Sequence, residues 1–212
     1  MPPTPRTYLT DLAGVIPAPQ VAPIDDRLEA IEQRTGHQVI AVLFPTLEGE
    51  ALEEYTMRCA EAWKVGRKGI DDGVIFFAFV RDHRMRLEVG YGLEAKIPDA
   101  TAHRLLDEVV RPQFANGDYA GGVSALAASL EKLFRGEPLP PRAGREGTPP
   151  PPWLVLAIIL VILVLRATAS RRRWGGGFGG WSGGGFSGGG FSGGGFSGGG
   201  GSFGGGGSSG SW

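Results

Sequence analysis

Residues 65–94 read VGRKGIDDGVIFFAFVRDHRMRLEVGYGLE, and the fold turns on them. Val74 to Val80 is an uninterrupted apolar run, the pattern of a strand covered on both faces. Arg81-Asp82-His83 is polar and turn-like. From Arg84 the chain alternates, with Met85, Leu87 and Val89 on one face and Arg84, Arg86 and Glu88 on the other, which predicts a half-exposed partner strand. The two strands make an antiparallel hairpin. With Val80 set against Arg84, Gly73 faces Tyr91, Asp72 faces Gly92 and Asp71 faces Leu93, within a residue or two. Asp71-Asp72-Gly73 and Gly90-Tyr91-Gly92-Leu93-Glu94 then meet at one end of the sheet. Asp-Gly steps also start turns for backbone reasons alone, so a site and a plain turn both stay open at this point.

On the N-terminal side, Val39 to Phe44 is a second continuous apolar strand, stopped by Pro45. A helix from about Gly49 to Trp63, with Leu52, Tyr55, Cys59 and Trp63 along one stripe, connects it to the hairpin. Strand, helix and strand at this spacing predict a parallel, right-handed βαβ unit. Ahead of it, Val21 to Thr35 carries Ile24, Leu28 and Ile31 at helical spacing, closed by Gly36. Tyr8 to Ile16 is a short apolar segment interrupted by Asp11. Beyond the hairpin, Pro98-Asp99 opens a helix with Asp99 as N-cap and Ala102, Leu105, Leu106, Val109 and Val110 on its buried face. A last helix runs from about Tyr119 to Phe134. The economical arrangement is α/β: an α/β/α sandwich with a small mixed sheet.

The chain has 212 residues and a net charge of −1, so no basic field argues for nucleic acid. The single cysteine, Cys59, rules out an internal disulfide and any multi-cysteine metal site, and its helical position predicts core. Composition divides the chain into a folded domain at 1–135, a proline-rich linker at 136–152, an apolar stretch at 153–170 and an arginine cluster with a low-complexity tail at 171–212. Trp153 to Leu165 carries no polar group. Extended to Ser170, with Arg166 snorkelling, it makes a helix of about 27 Å, close to the roughly 30 Å hydrocarbon core. Trp153 and Arg171-Arg172-Arg173-Trp174 stand where interface anchors belong, so a single transmembrane helix is expected. The arginines place the tail in the cytoplasm and the folded domain outside the cytoplasmic membrane. No signal peptide is visible in the first residues, which favours a start further upstream. In the tail Ser-Gly-Gly-Gly-Phe recurs, with Phe186, Phe191 and Phe196 evenly spaced. Glycine at this density predicts disorder, with self-association through the spaced aromatics as a further reading.

Asp11-Leu12-Ala13-Gly14, Trp63-Lys64-Val65-Gly66, Gly69-Ile70-Asp71-Asp72-Gly73-Val74, Glu88-Val89-Gly90-Tyr91-Gly92-Leu93-Glu94 and Pro98-Asp99-Ala100 follow one another in order. In this succession the chain resembles the TPM domain family. With the apolar span, the arginine cluster and the tail ending Ser-Gly-Ser-Trp, it is similar to the membrane-anchored, YgcG-like bacterial branch. The family more often has asparagine at the position of Asp72. The resemblance implies an α/β/α domain displayed outside the cytoplasmic membrane. It also implies divalent-cation binding for bacterial members, and acid phosphatase activity with photosystem repair for a plant thylakoid branch. The residues it points to are Asp71, Asp72 and Glu94, with Asp99 nearby and Asp11 completing the cluster. Hard carboxylate oxygens beside a glycine turn suit Ca2+ or Mg2+.

Three functions are open at this level. One is a membrane-tethered module that holds a cation and engages a protein partner. Another is a metal-dependent phosphatase acting on phosphate esters, with Asp71 and Asp72 holding metal and Arg67 or Lys68 meeting phosphate. The third is a structural membrane organiser acting through the Gly/Phe tail. No phosphate loop is present, and His37, His83 and His103 fall on a strand start, the hairpin tip and a helix, in no triad-like arrangement. Asp99 and His103 make an i, i+4 pair that an N-cap and a surface histidine also explain.

Overall fold

The computed structural model describes residues 2–139 and 206–212. The two apolar runs sit at the centre of a five-stranded mixed sheet of order β1-β2-β3-β4-β5. β2 (Gln38–Phe44) and β3 (Gly73–Phe79) run parallel, with Gln38 opposite Gly73 and Phe44 opposite Phe79. α2 (Leu52–Trp63) links them, as a βαβ unit requires. β4 (Arg84–Val89) returns antiparallel, with Val74 opposite Val89 and Phe79 opposite Arg84, one residue from the expected register. Val80 leaves the ladder because its N–H donates instead to the Phe44 carbonyl, at 3.0 Å. The short segment interrupted by Asp11 becomes β1 (Leu9–Asp11), parallel to β2 at the outer edge.

α1 (Ala18–Thr35) ends at Gly36, whose left-handed φ of 74° lets its N–H reach the Glu32 carbonyl. α3 is one continuous helical run, Asp99–Arg104, a π-helical stretch Leu105–Val110, and Arg111–Ala115. The widened turn lies immediately ahead of Pro112, which has no N–H for an ordinary α-helical bond to Glu108. α4 (Tyr119–Phe134) matches its expected bounds and is capped by Asp118, whose carboxylate accepts from the Gly121 N–H. One sheet face packs Leu43, Phe76 and Leu87 against apolar residues of α1, α3 and α4. The other packs Val42, Ile75 and Phe77 against Leu52, Cys59 and Trp63 of α2. Helices therefore cover both faces, the layering expected from the sequence. Cys59 is fully buried, and burial pushes its thiol up to about 11, so it is an inert core residue.

Three expectations change. β4 is not half-exposed: Arg86 is 9% and Glu88 1% accessible, because α2 covers that face and a further strand closes the edge. That strand is β5 (Gly207–Ser211), antiparallel to β4, with Arg84 opposite Ser211 and Glu88 opposite Gly207. A tail expected to be disordered throughout thus ends in an ordered strand. Asp99 is the first residue of α3 rather than its N-cap, which is Pro98. The described residues belong to one compact unit. The stretch 153–170, the arginine cluster, the phenylalanine repeat and most of the proline-rich linker lie outside them. Among the described residues no helix is long and apolar enough to cross a membrane.

Candidate functional site

At the open end of the hairpin two loops lie backbone to backbone. The Gly90 N–H donates to the Gly73 carbonyl at 2.8 Å, and the Gly92 N–H donates to the Asp71 carbonyl at 3.1 Å. A Cβ on Gly90 would stand 2.1 Å from the Asp71 oxygen, and one on Gly92 2.0 Å from the Ile70 oxygen, so only glycine allows this approach. Asp71 itself takes a left-handed φ of 53°. The hairpin register thus delivers the expected meeting of Asp71 and Asp72 with the Gly90–Glu94 loop.

The carboxylates in that loop pair are used differently. Asp72 is 1% exposed. Its Oδ1 accepts from the Arg67 N–H at 2.8 Å, and its Oδ2 accepts from Arg67 Nε at 2.8 Å and Nη2 at 2.5 Å. His37 Nδ1 lies 3.1 Å from the same Oδ2. Lys96 Nζ can only donate to His37 Nε2, 3.1 Å away, which leaves the imidazole proton on Nδ1, facing Asp72. Burial alone would push the Asp72 carboxyl up. Hydrogen bonds from Arg67 and then His37 outweigh it and hold the group down at about 2. Asp72 is therefore an anion at neutral pH, clamped by its donors. Asp71 is partly buried, and its Oδ1 has no hydrogen-bond partner.

The other expected acids stand elsewhere. Asp11 organises the turn after β1: its Oδ1 accepts from the Ala13 and Gly14 N–H groups and its Oδ2 from Ile16. It pairs with Leu43 near the C-terminal end of β2, whereas Gly73, beside Asp72, pairs with Gln38 at the start of that strand. Asp11 and Asp72 are thus at opposite ends of the sheet. Asp99 Oδ1 accepts from the Gly207 N–H at 3.1 Å. Glu94 flanks Gly206 so closely that a Cβ there would meet Glu94 Oε1 at 2.8 Å. The structure brings Asp71 and Asp72 together, draws Glu94 and Asp99 to β5, and leaves Asp11 apart. Among the described residues no group of three His, Cys, Asp or Glu stands where it could hold a metal ion. The five acids do not form a cation donor set, and the oxygens of Asp72 already face N–H donors.

A second buried polar group lies further along the hairpin. Arg86 Nε donates to Glu88 Oε1 at 2.5 Å, and Thr56 Oγ1 of α2 donates to the same oxygen at 2.7 Å. Arg86 Nη1 donates to Ser209 Oγ of β5 at 2.9 Å, and Ser209 Oγ donates to Glu53 Oε1 at 2.8 Å. The Ser209 hydroxyl is the main reason the Glu53 carboxyl titrates lower than usual. Sequence reasoning missed His37 and the whole β5 contact. The available signal for β5 was the break of the five-residue period after Phe196 into Gly-Ser-Ser-Gly-Ser-Trp. His103, read as a ligand or a surface residue, has Nδ1 3.4 Å from Ser208 Oγ.

A family model for the TPM domain matches residues 9–133. Among solved structures, the N-terminal domain of a protein from P. gingivalis superposes with a TM-score of 0.55 at 27% identity, covering 61% of this chain and 83% of that one. The N-terminal domain of the cg2496 protein from Corynebacterium glutamicum gives a TM-score of 0.49 at 15% identity, covering 68% and 88%. No curated protein matches the chain.

Proposed function

The chain belongs to the TPM domain family, and from that premise we propose that it is a binding or accessory module of the cell envelope, held at the membrane through the apolar stretch 153–170. The observation that supports it is the surface at the open end of the hairpin. Three large apolar side chains are markedly exposed among the described residues, and two of them, Ile70 at 49% and Tyr91 at 66%, stand on the two clamped loops. Rigid loops that present an aromatic and an aliphatic side chain beside charge are what a partner-binding patch requires. Of the two cations that could meet phosphate, Arg67 is committed to Asp72, which leaves that role in a phosphatase to Lys68.

A divalent cation at Asp71 is the second reading, favoured by the buried Oδ1 that has no hydrogen-bond partner. One experiment separates these readings from the hydrolase. The full chain is melted with and without Ca2+ while phosphate-ester turnover is followed. The binding reading expects no turnover. A Ca2+-dependent rise in Tm that disappears in Asp71→Asn supports the cation. Turnover abolished by Asp71→Ala would overturn the binding reading in favour of the phosphatase.

A further inference from the structure

The edge of β4 away from β3, with the α3 surface beside it, meets β5 position by position. β5 extends beyond its ladder at both ends: the Val89 N–H donates to the Gly206 carbonyl at 3.0 Å, and the Trp212 N–H to the His83 carbonyl at 3.2 Å. Main-chain bonds of this kind would hold any extended segment. The side chains are what discriminate. At Gly207 a Cβ would lie 2.8 Å from the Leu87 carbonyl oxygen and 2.9 Å from Glu88 Oε2, so backbone would have to move to admit any other residue. At Ser209 the hydroxyl bridges Arg86 and Glu53, two charged groups of different elements. At Gly210 a Cβ would meet Met85 Cε at 2.9 Å, and Leu106 of the π-helical stretch lies beyond it. At Trp212 the indole packs edge-on against Phe114 at 4.9 Å and is flanked by His83 and Tyr119. Three of seven positions, Gly207, Ser209 and Trp212, are thus specified by shape, hydrogen bonding or aromatic packing, whereas at Gly210 only the flexible end of Met85 opposes a side chain.

We propose that this edge is a strand-acceptor site specific for an extended Gly-x-Ser-x-x-Trp segment, filled by residues 206–212 of the same chain because of that specificity. Residues 140–205 join the two parts. A connection of that length and glycine content supplies a tethered strand at an effective concentration on the order of millimolar or somewhat less, so docking within one chain prevails over exchange between chains in dilute solution. Gly206, at the start of the docked segment, abuts Glu94 of the loop that carries Tyr91, so the site borders the proposed partner patch, but the inference does not rest on that patch. It also constrains topology. With β5 seated, residues 139 and 206 are on the same side of any bilayer, so the membrane attachment proposed for 153–170 is then made without a net crossing, in place of the single transmembrane span expected from the sequence.

The test compares the 212-residue chain with one ending at Gly205. Shortening is expected to lower Tm by several degrees. A synthetic peptide of residues 206–212, at millimolar concentration, is expected to restore most of that loss and to leave the longer chain unmoved. The same peptide with Gly207→Val is expected to restore nothing. If the shortened chain does not fold, Gly207→Val in the longer chain vacates the site instead, and peptide-induced protection of the β4 amides against hydrogen exchange is the readout. Failure of the native peptide in both backgrounds, or equal action of the Gly207→Val peptide, overturns the proposal. A dimer of the 212-residue chain that dissociates on shortening overturns the assignment to the same chain and gives the site to a second copy. Cysteines placed at Glu137→Cys and Gly205→Cys in membrane vesicles are expected to label from one side, and labelling from opposite sides overturns the seated topology.

Discussion

Two ion pairs built on buried carboxylates, Asp72 and Glu88, stand on the β3–β4 hairpin, and they are completed in different ways. Asp72 draws its partners from nearby: Arg67 five residues away, and His37 from the start of the neighbouring strand. Arg86 and Glu88 sit two residues apart on one strand, so neither can surround the other. Their remaining hydrogen-bonding capacity is met by Thr56 from α2 and by Ser209 from β5. The first pair is closed by the domain itself, while the second is closed only when a segment from far along the chain arrives. A buried charge costs several kcal/mol unless it is fully paired, so the second pair makes the strand that covers it part of the fold's stability.

The largest effect is expected where a buried charge would be left alone. Glu88→Ala strips Arg86, only 9% exposed, of its close partner and is expected to cost about 3–5 kcal/mol in urea unfolding. Glu88→Ala combined with Arg86→Met should recover most of that loss, because the charge and its partner are removed together. A cost below about 1 kcal/mol for Glu88→Ala would mean that Arg86 escapes to water and that the two pairs do not differ as argued.

Asp72→Asn is expected to cost less, about 2 kcal/mol, because Arg67 is half-exposed and turns to solvent once released. Its signature is in the pH dependence. The folded-state value is depressed from the ordinary 3.8 to about 2, so the stabilisation is complete above about pH 4 and is lost as pH falls through 2. Unfolding curves between pH 6 and pH 2 should show the acid limb in the native chain and a weaker one in Asp72→Asn. Parallel acid limbs would place the controlling carboxylate elsewhere.

How far each pair could be read from residues follows from the same contrast. The apolar runs of β2 and β3 and the alternation of β4 set strand identity and register to within one residue, because burial on a sheet imposes its own period. That period also suggested that Arg86 and Glu88 face water, since alternation reports which face is apolar and says nothing of what later covers the polar one. His37 could not be assigned to Asp72 because the contact runs between strands 35 residues apart, and a lone histidine carries no local pattern. β5 has no hydrophobic period at all: its specificity lies in the absent side chain at Gly207, in one hydroxyl at Ser209 and in the single indole at Trp212. Acidic residues next to glycine drew attention to a cluster that the fold divides between a clamp at Asp72, a turn at Asp11 and the edge of β5 at Asp99.

Ser209→Ala probes the long-range pair more gently. It removes one hydroxyl from Arg86 and Glu53 and is expected to cost about 1 kcal/mol, with the Glu53 carboxyl returning toward its ordinary titration because its principal donor is gone. An NMR titration of Glu53 in the native chain and in Ser209→Ala checks both ends of the contact at once. An unchanged Glu53 would show that the strand is held by its backbone alone.

The smallest effect on stability is expected at the loops beside the self-sufficient pair, and that smallness is the point. Tyr91 is two-thirds exposed and Ile70 about half, so Tyr91→Ser and Ile70→Ser should each change unfolding free energy by no more than about 0.5 kcal/mol. The loops are fixed by Gly90 and Gly92 and by the Asp72 clamp, none of which these substitutions touch. Any loss of partner binding in them is then a loss of contact rather than of fold. Asp72→Asn provides the opposite control, since it loosens the loops while leaving both apolar side chains in place. If the serine variants melt several degrees lower, Tyr91 and Ile70 belong to the packing of the domain, and the hairpin end holds a turn rather than a binding surface.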